Sequence, residues 1–547
     1  MAQRKIIVVL SGQIASGKTT VCDGLKEEHD FLVIRTRDVL EELAKEHEPK
    51  EEKREERGFL QMFGRNLDET TDGKWVLQRT QHLINKHDRI IIDSARIQLQ
   101  LNAFREAYGQ AVVHIHMHAP DAWRKSKFIE RGLKGDFKSV KEAGAKFNKY
   151  AADPTEKGVA DFKEKADLVI YSADSADGRD QVVRATSFLR LFPPFKLRNV
   201  DVVVGGQFGS EGKGQVAAYL APEYDCLVRV GGPNAGHKVF AAPPHTFRII
   251  PSGSVKALGS QLIIGPGAII RESVILDEIR DFHIEPSRLL IDENATIISD
   301  QDIEFEKEID KIGSTCQGVG AATARNILDR LKNEIGHKAK ESRILKHYLG
   351  SAHECMERMH TANKKILVEG TQGTMLSLHH GSYPHVTSRD TSVSGCLAET
   401  GIGPHRVRKV IMVARRYPIR VQNPTDGSSG PFHSAEISLE EVARRSGYPI
   451  DELRELEKTS TTKRQRRIAE FSWYLFRRAC ELNTPTDIAF TFSDYVDFTN
   501  QQARRLEQLT PATARFIEEM ERCAGVPVSL IATRFSHRAI IDRRNWK

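Results

Sequence analysis

The sequence predicts an α/β protein of two parts, and three observations predict it. Short apolar runs rich in Val and Ile alternate with longer segments of helical period. Two of those runs lead straight into glycine-rich loops, one beginning at Gly12 and one at Gly206. Between them the helix-breaking pair Pro193–Pro194 marks a boundary. The chain has 547 residues, and cores of ~100–200 residues are usual, so more than one is expected. The expected division is a P-loop domain over 1–190, a linker over 191–199 and a larger α/β domain over 200–547. No fixed-period repeat is visible, so the two loops belong to separate domains.

In the first part the expected strands are Lys5–Leu10, Phe31–Ile34, Arg89–Asp93, Val112–His116 and Leu168–Tyr171, with charged helices between them. The dense charge run Glu46–Arg57 reads as a solvated helix face or a mobile lid. In the second part Val200–Val204 starts a new strand. Hydrophobic residues make up 39% and charged residues 28%, which excludes a disordered chain. A net charge of +7 over this length is too mild to argue for nucleic-acid binding. It suits anionic small molecules, or simply a basic surface. The apolar run Ile6–Leu10 is too short for a signal peptide, and no stretch approaches the ~20 residues of a membrane helix. Seven scattered cysteines, Cys22 to Cys523, form no CxxC pair and suggest reduced thiols in a cytoplasmic protein. Cys316, in a glycine-rich stretch, reads as a buried thiol rather than a reactive one.

The first loop, Gly12-Gln-Ile-Ala-Ser16-Gly17-Lys18-Thr19, matches GxxxxGK[ST] without a gap, and Thr20–Lys26 can continue as a helix. Glycines let successive N–H groups face a phosphate. Lys18 reaches the β and γ phosphates, the Thr19 hydroxyl can ligate Mg²⁺, and the helix N-terminus adds positive potential. Asp93 ends a strand where it could hold Mg²⁺ through water. Arg124, Lys125, Lys127 and Arg131 share one helical segment whose cations could neutralise a transferring phosphoryl group. The short P-loop part, the RTRD segment Arg35–Asp38, the stretch FLQMFGRNLDETTDGKW and the basic segment together resemble nucleoside-monophosphate kinases and dephospho-coenzyme A kinases. The resemblance implies a kinase whose acceptor is held by residues such as Arg37, Asp38, Arg65 and Arg96. It does not name the acceptor.

The second loop reads Gly205-Gly206-Gln207-Phe208-Gly209-Ser210-Glu211-Gly212-Lys213-Gly214. Its spacing differs from the first, but several glycines and a lysine before a helix again suit an anion. GGPNAGHKVF follows at Gly231, RIIPSG at Arg248, EGTQGTMLSLHHGSYPHVTS at Glu369 and TSTTKRQRR at Thr459. These blocks, in this order, closely resemble adenylosuccinate synthetase over residues 200–547. That family phosphorylates O6 of a purine nucleotide with a nucleoside triphosphate and displaces the phosphate with the amine of L-aspartate. A 6-oxo group leaves poorly until phosphorylated, so the chemistry needs a base at N1 and a proton donor or Mg²⁺ at O6.

Carried over position by position, the resemblance gives His237 of NAGH as the group acting on the 6-phosphoryl oxygen and the Gly236 carbonyl as an Mg²⁺ ligand. Gly209, Glu211, Gly212, Lys213 and Gly214 face the donor triphosphate, either ATP or GTP. Asn234, Thr315, Gln372, Thr387 and Arg420 contact the purine nucleotide, Gln372 with a catalytic part as well. Thr461, Thr462, Arg464 and Arg466 hold aspartate, two arginines suiting two carboxylates. A homodimer is also implied, in which Arg325 or Arg330 reaches a neighbouring active site. No nucleic-acid or membrane partner is expected.

The chain departs from the family at two places. Where the family has a base aspartate, position 210 is serine, a weaker base and a poorer Mg²⁺ ligand. Three readings stay open at this point: an inactive nucleotide sensor, an enzyme using inosine monophosphate with another base, or one using a different purine. The third has a physical basis. Guanine carries a 2-amino group beside N1, and serine is smaller than aspartate and both donates and accepts. Serine here resembles the branch that makes 2-aminoadenylosuccinate from (deoxy)guanylate. Glu211 or water would then supply the lost functions. The second departure is Thr491-Phe492-Ser493-Asp494 in place of TKxD: Asp494 can still accept from guanine, but Phe492 removes the lysine arm, leaving ATP or GTP open as donor.

Overall fold

Val and Ile runs buried on both sides build each half of the chain around a parallel sheet. The computed structural model describes residues 5–47, 57–133, 137–174, 178–192, 198–240, 244–332, 337–458, 465–536 and 539–544. The chain divides into two units, Met1–Pro193 and Pro194–Lys547.

In the first unit, β1 (Ile6–Ser11) is buried along its whole length. It lies at the centre of a five-stranded parallel sheet with β2 (Leu32–Arg35), β3 (Arg89–Asp93), β4 (Val112–His118) and β5 (Leu168–Tyr171), in the order β2-β3-β1-β4-β5. Alternate residues feed opposite cores: Ile7 and Val9 pack on one face, Val8 and Leu10 on the other. Helices α1 (Lys18–His29), α2 (Thr36–His47), α3 (Arg57–Thr71), α4 (Trp75–Lys86), α5 (Gln98–Tyr108) and α6 (Asp121–Gly132) follow in chain order. The charge run Glu46–Arg57 falls mostly outside the described residues.

β4 carries an unusual burden for a central strand. His114 and His116 are buried, and both rings hydrogen-bond the buried Ser11 hydroxyl, at 2.7 and 2.9 Å. Burial, then the charge of Arg105, brings His114 down to about 4. Burial, then His114, does the same to His116. Both rings are neutral in the folded unit at pH 7, while an unfolded imidazole takes its proton near 6.5. Between pH 6.5 and 4 the unfolded chain therefore binds more protons, and stability is lost as pH falls, at up to ~1.4 kcal/mol per pH unit for each histidine. Calorimetry of the full chain should show a melting transition moving down across this window. A transition temperature flat from pH 6.5 to 4 would show that these rings are not buried neutral.

The second unit holds a ten-stranded sheet. From one edge its strands are Leu349–Gly350, Leu289–Asp292, Gln261–Ile264, Cys226–Arg229, Ile366–Glu369, Val200–Gly205, Val407–Arg415, Asp487–Thr491, Val528–Ala532 and Ile540–Asp542. The last pairs antiparallel; the other pairings are parallel. Val202, Val204 and Met412 enter one core, Val203, Ile411 and Val413 the other. Among the described residues, no helix is long and apolar enough to cross a membrane.

Register decides what gathers at one end of this sheet. Glu369 lies opposite Arg229 on one side and Val203 on the other. Val413 faces Gly205, and Arg415 faces Thr491. Five adjacent strands thus finish together at their carboxyl ends, where ligands bind in open α/β sheets.

Candidate active sites

In the first unit the loop after β1 turns at Gly12, where φ is +142° and an added Cβ would lie 2.5 Å from the Met117 carbonyl oxygen. Gly17, left-handed at φ 92°, caps α1, and Lys18 is the first helical residue. The Lys18 ammonium donates back to the Gly12 and Gln13 carbonyls at 2.7 and 3.1 Å. Burial and Arg96 bring it down to about 8, against the pull of Asp93 and Glu156. Thr19 and Thr20 are exposed at the helix start. The Ser16 hydroxyl is buried without a hydrogen bond among the described residues. Register sets Asp93 beside Leu10, just before the loop.

The cations are placed less uniformly than their shared segment suggested. Arg131 is exposed, but Arg124 is buried. Arg124 donates to the Ile14 carbonyl at 3.2 Å, pairs with Asp121 at 2.5 Å and packs over Phe147. It braces the loop backbone rather than reaching out to a phosphoryl group. Arg37 is exposed and paired with Glu41 at 2.7 Å, and Asp38 is exposed beside it.

The second glycine loop closes in the same way despite its different spacing. Gly212, left-handed at φ 85°, caps the helix Lys213–Leu220. Lys213 is again the first helical residue, and its ammonium donates to the Gly209 carbonyl at 3.0 Å. A second partner corrects an expectation. Glu211, fully buried, pairs with Lys213 at 2.7 Å through one oxygen. Its other oxygen accepts from the Gln207 and Gly209 amides at 3.0 and 2.7 Å. A carboxylate committed at both oxygens shapes the loop and offsets its lysine. It cannot also stand in for the missing base.

Ser210 sits half-buried in this loop, and its hydroxyl makes no hydrogen bond among the described residues. Its carbonyl accepts from Arg415 at 3.2 Å. Arg415 is wholly buried, pairs with buried Glu457 at 2.5 Å and lies 4.0 Å over the Phe492 ring. Glu457 also accepts from the Tyr495 hydroxyl at 2.8 Å and contacts Arg466 at 3.4 Å. One ion pair therefore joins the serine loop, the Thr491–Asp494 motif and the arginine expected to hold aspartate. Nothing in the local sequence marks Arg415 or Glu457, because their partners lie up to 205 residues apart.

His237 is buried, and its Nδ1 meets a Glu369 oxygen. The Glu369 carboxylate also accepts from the Ser252 amide at 2.7 Å, from the Ser252 hydroxyl, and from Arg229 at 3.4 Å. Burial and then Arg229 hold His237 below the usual imidazole range. Burial opposes ionisation of Glu369, but Arg229 and His237 outweigh it and hold Glu369 below the usual carboxylate range. The assignment that follows is a Nδ1–H donated to an ionised Glu369, with Nε2 buried and without a hydrogen-bond partner among the described residues. Glu369 and Ser252 stand inside the quoted EGTQG and RIIPSG blocks, which was the available signal. Arg229 had only its strand-end position.

Gln372 is brought to the same end of the sheet: an added Cβ on Gly209 would lie 3.1 Å from its Cα. Its amide donates to Asn234 at 3.0 Å and accepts from Thr371 at 2.8 Å. Thr315 and Thr387 are half-buried, and the Gly236 position is exposed. Arg420 differs from its expected part. It donates to the carbonyls of Ser429 at 2.6 Å, His385 at 2.9 Å and Pro431 at 3.4 Å, so it organises loops. Arg325 is likewise held at home by Asp302, at 2.7 Å, whereas Arg330 is exposed. Thr461, Thr462 and Arg464 lie outside the described residues. Burial pushes Asp494 up to about 7, and its Oδ1 has no hydrogen bond among the described residues. Cys316 is half-buried, with burial raising its thiol.

The adenylosuccinate synthetase family model matches residues 202–331 and 326–501, and an AAA domain model matches residues 8–141. Adenylosuccinate synthetase of Methanocaldococcus jannaschii is 36% identical over 360 residues, covering 64% of this chain and 98% of its own length. That of Pyrococcus horikoshii is 35% identical over 355 residues, covering 63% and 98%. Two solved structures share the fold, each with a TM-score of 0.53. The fully ligated adenylosuccinate synthetase of Plasmodium falciparum is 20% identical, covering 63% of this chain and 100% of its own. The succinoaminodeoxyadenylate synthetase of cyanophage S-2L, bound to dGMP and dATP as energy donor, is 23% identical, covering 64% and 96%.

Proposed function

Because the chain belongs to the adenylosuccinate synthetase family through its larger unit, which is fused to a P-loop kinase-like domain, we propose that its ligase joins L-aspartate to C6 of (d)GMP. The product is N6-succino-2-amino-(deoxy)adenylate. The observation that carries this reading is Ser210: a short hydroxyl, without a hydrogen bond among the described residues, where the family resemblance calls for a carboxylate. A hydroxyl accepts the N1–H of guanine and leaves room for the neighbouring 2-amino group. The cyanophage enzyme, solved with dGMP, is a fold relative in keeping with it.

The chemistry balances in two steps. The γ-phosphoryl group of the donor forms a bond to O6 as its bond to the β-phosphate oxygen breaks, and N1 gives up its proton to water. The aspartate amine then bonds to C6, loses a proton, and the C6–O6 bond breaks to release phosphate. Lys213 lies at the start of its helix, where donor phosphates meet a positive helix end. His237 presents Nε2 toward the 6-phosphoryl oxygen, steadied from behind by Glu369. Arg466 offers a guanidinium to an aspartate carboxylate. The oxygens on offer for Mg²⁺ here, the Gly236 carbonyl and the Ser210 hydroxyl, are hard donors that suit an ion held mainly by phosphates and water. Mg²⁺ would supply charge neutralisation on the transferring phosphoryl group. Donor choice between ATP and GTP turns on Asp494, and a homodimer is part of the same reading.

Starting from nucleotide labelled with ¹⁸O at the 6-oxygen, the label should appear in inorganic phosphate, with one succinylated product formed per phosphate. Label left in the purine, or phosphate released without label, would rule out a 6-phosphoryl intermediate.

A further inference from the structure

The first unit contains a second constellation that phosphate chemistry at the P-loop does not use. The Glu156 carboxylate links the P-loop to Arg96: one oxygen accepts from the Ile14 amide at 2.9 Å, the other pairs with Arg96 at 2.6 Å. Close by in sequence, Asp153 pairs with Arg65 of α3 at 2.8 Å. Both guanidiniums are partly exposed, 32% for Arg96 and 47% for Arg65, and each keeps N–H groups beyond these pairs. They form a cationic rim next to the loop.

Each arginine has a polar neighbour about one turn further along. Asp68 follows Arg65 by three residues on α3, and Gln100 follows Arg96 by four in the first turn of α5. These two neighbours meet. Asp68 Oδ1 accepts from Gln100 Nε2 at 2.8 Å and from the Trp75 indole at 2.7 Å. Gln100 Oε1 accepts from the Arg96 amide at 2.8 Å. The turn between α3 and α4 is pressed on α5: a Cβ on Gly73, at φ +71°, would lie 2.8 Å from the Gln100 nitrogen. Trp75 and Gln100 are buried, so the pair is rigidly backed. What stays available is Oδ2 of the half-buried Asp68, with no hydrogen bond among the described residues.

We propose that these side chains form the acceptor site of the phosphotransferase and that it takes a guanine nucleoside monophosphate, with Arg65 and Arg96 on the phosphate and Asp68, held by Gln100, on the base edge. A carboxylate oxygen fixed in this way matches guanine through the adjacent N1–H and N2–H donors, both directed toward Asp68 Oδ2. Hypoxanthine lacks the 2-amino donor. Adenine offers the carboxylate a single amino group beside an acceptor nitrogen. Uracil and thymine set two carbonyl oxygens around their one N–H, facing an anion. An acceptor phosphate oxygen bonds to the γ-phosphorus as the bond to the β-phosphate oxygen breaks. A dianion and a tetraanion become two trianions, with no net proton released. This inference rests on the phosphotransferase reading of the unit.

The test uses the full chain with ATP, Mg²⁺ and each of GMP, dGMP, IMP, AMP, CMP and UMP, without aspartate so that the ligase is idle. Nucleoside diphosphate is read by mass. The expected result is a kcat/KM for guanylates at least tenfold above the others, lost in Lys18→Ala. Asp68→Asn keeps an oxygen for Trp75 and Gln100 but removes the anion. It should cut guanylate use tenfold or more, spare AMP, and leave the melting temperature near that of the parent. Arg96→Met should raise KM for every monophosphate. IMP or AMP equal to GMP in the parent, or an unchanged ranking in Asp68→Asn, would overturn the proposal while leaving the kinase reading intact. Failure to phosphorylate any monophosphate would overturn the kinase reading as well.

Discussion

Replacing His237 by asparagine should lower ligase turnover by roughly 10²–10⁴-fold, the usual worth of a positioned proton donor. KM for aspartate should change little, since the residues proposed to hold aspartate belong to a different segment of the chain. The reason lies in how the ring is held. Its Nδ1–H is committed to Glu369, so Nε2 carries a proton only in the imidazolium form. Burial and then Arg229 keep the ring neutral. A bound phosphoryl anion beside Nε2 reverses that balance, and the ring becomes a donor when it is needed. Glu369→Gln removes the charge that supports the imidazolium while keeping a hydrogen-bond acceptor. Its alkaline limb of kcat against pH should therefore move to lower pH. A purely structural role for Glu369 would lower activity without moving that limb.

Ser210→Asp should reverse substrate preference. A carboxylate restores the N1 base that inosinate chemistry requires and crowds the 2-amino group of guanine. One misfitting group in a pocket is worth ~1–3 kcal/mol, so the ratio of kcat/KM for guanylate over inosinate should fall by roughly 10–200-fold. Steady-state rates on both nucleotides check this. A variant that keeps the parent's ratio would mean that residue 210 does not face the base edge.

How far the sequence carried differs between the loops and their supports. Both lysines, their left-handed glycine caps and the strands feeding them were legible, because a strand, a glycine turn and a helix start are written in consecutive residues. The supports were not. Arg229, Glu369 and Ser252 meet across up to 140 residues, and Arg415 reaches Ser210 across 205. Only the sheet register brings them together. Side-chain direction was equally hidden. Glu211 looked like a replacement base from its position but turns inward to its own loop and lysine. Arg124 and Arg420 looked like ligand contacts, yet each donates to backbone carbonyls, and Arg124 also pairs with Asp121.

The central claim is that Ser210 marks a guanine nucleotide as the substrate. The measurement that tests it most directly incubates the full chain with L-aspartate, Mg²⁺ and ATP or GTP, and with each of IMP, dIMP, GMP and dGMP in turn, and weighs the products. The account predicts succinylated product from GMP, dGMP or both. Product from IMP or dIMP alone would contradict it.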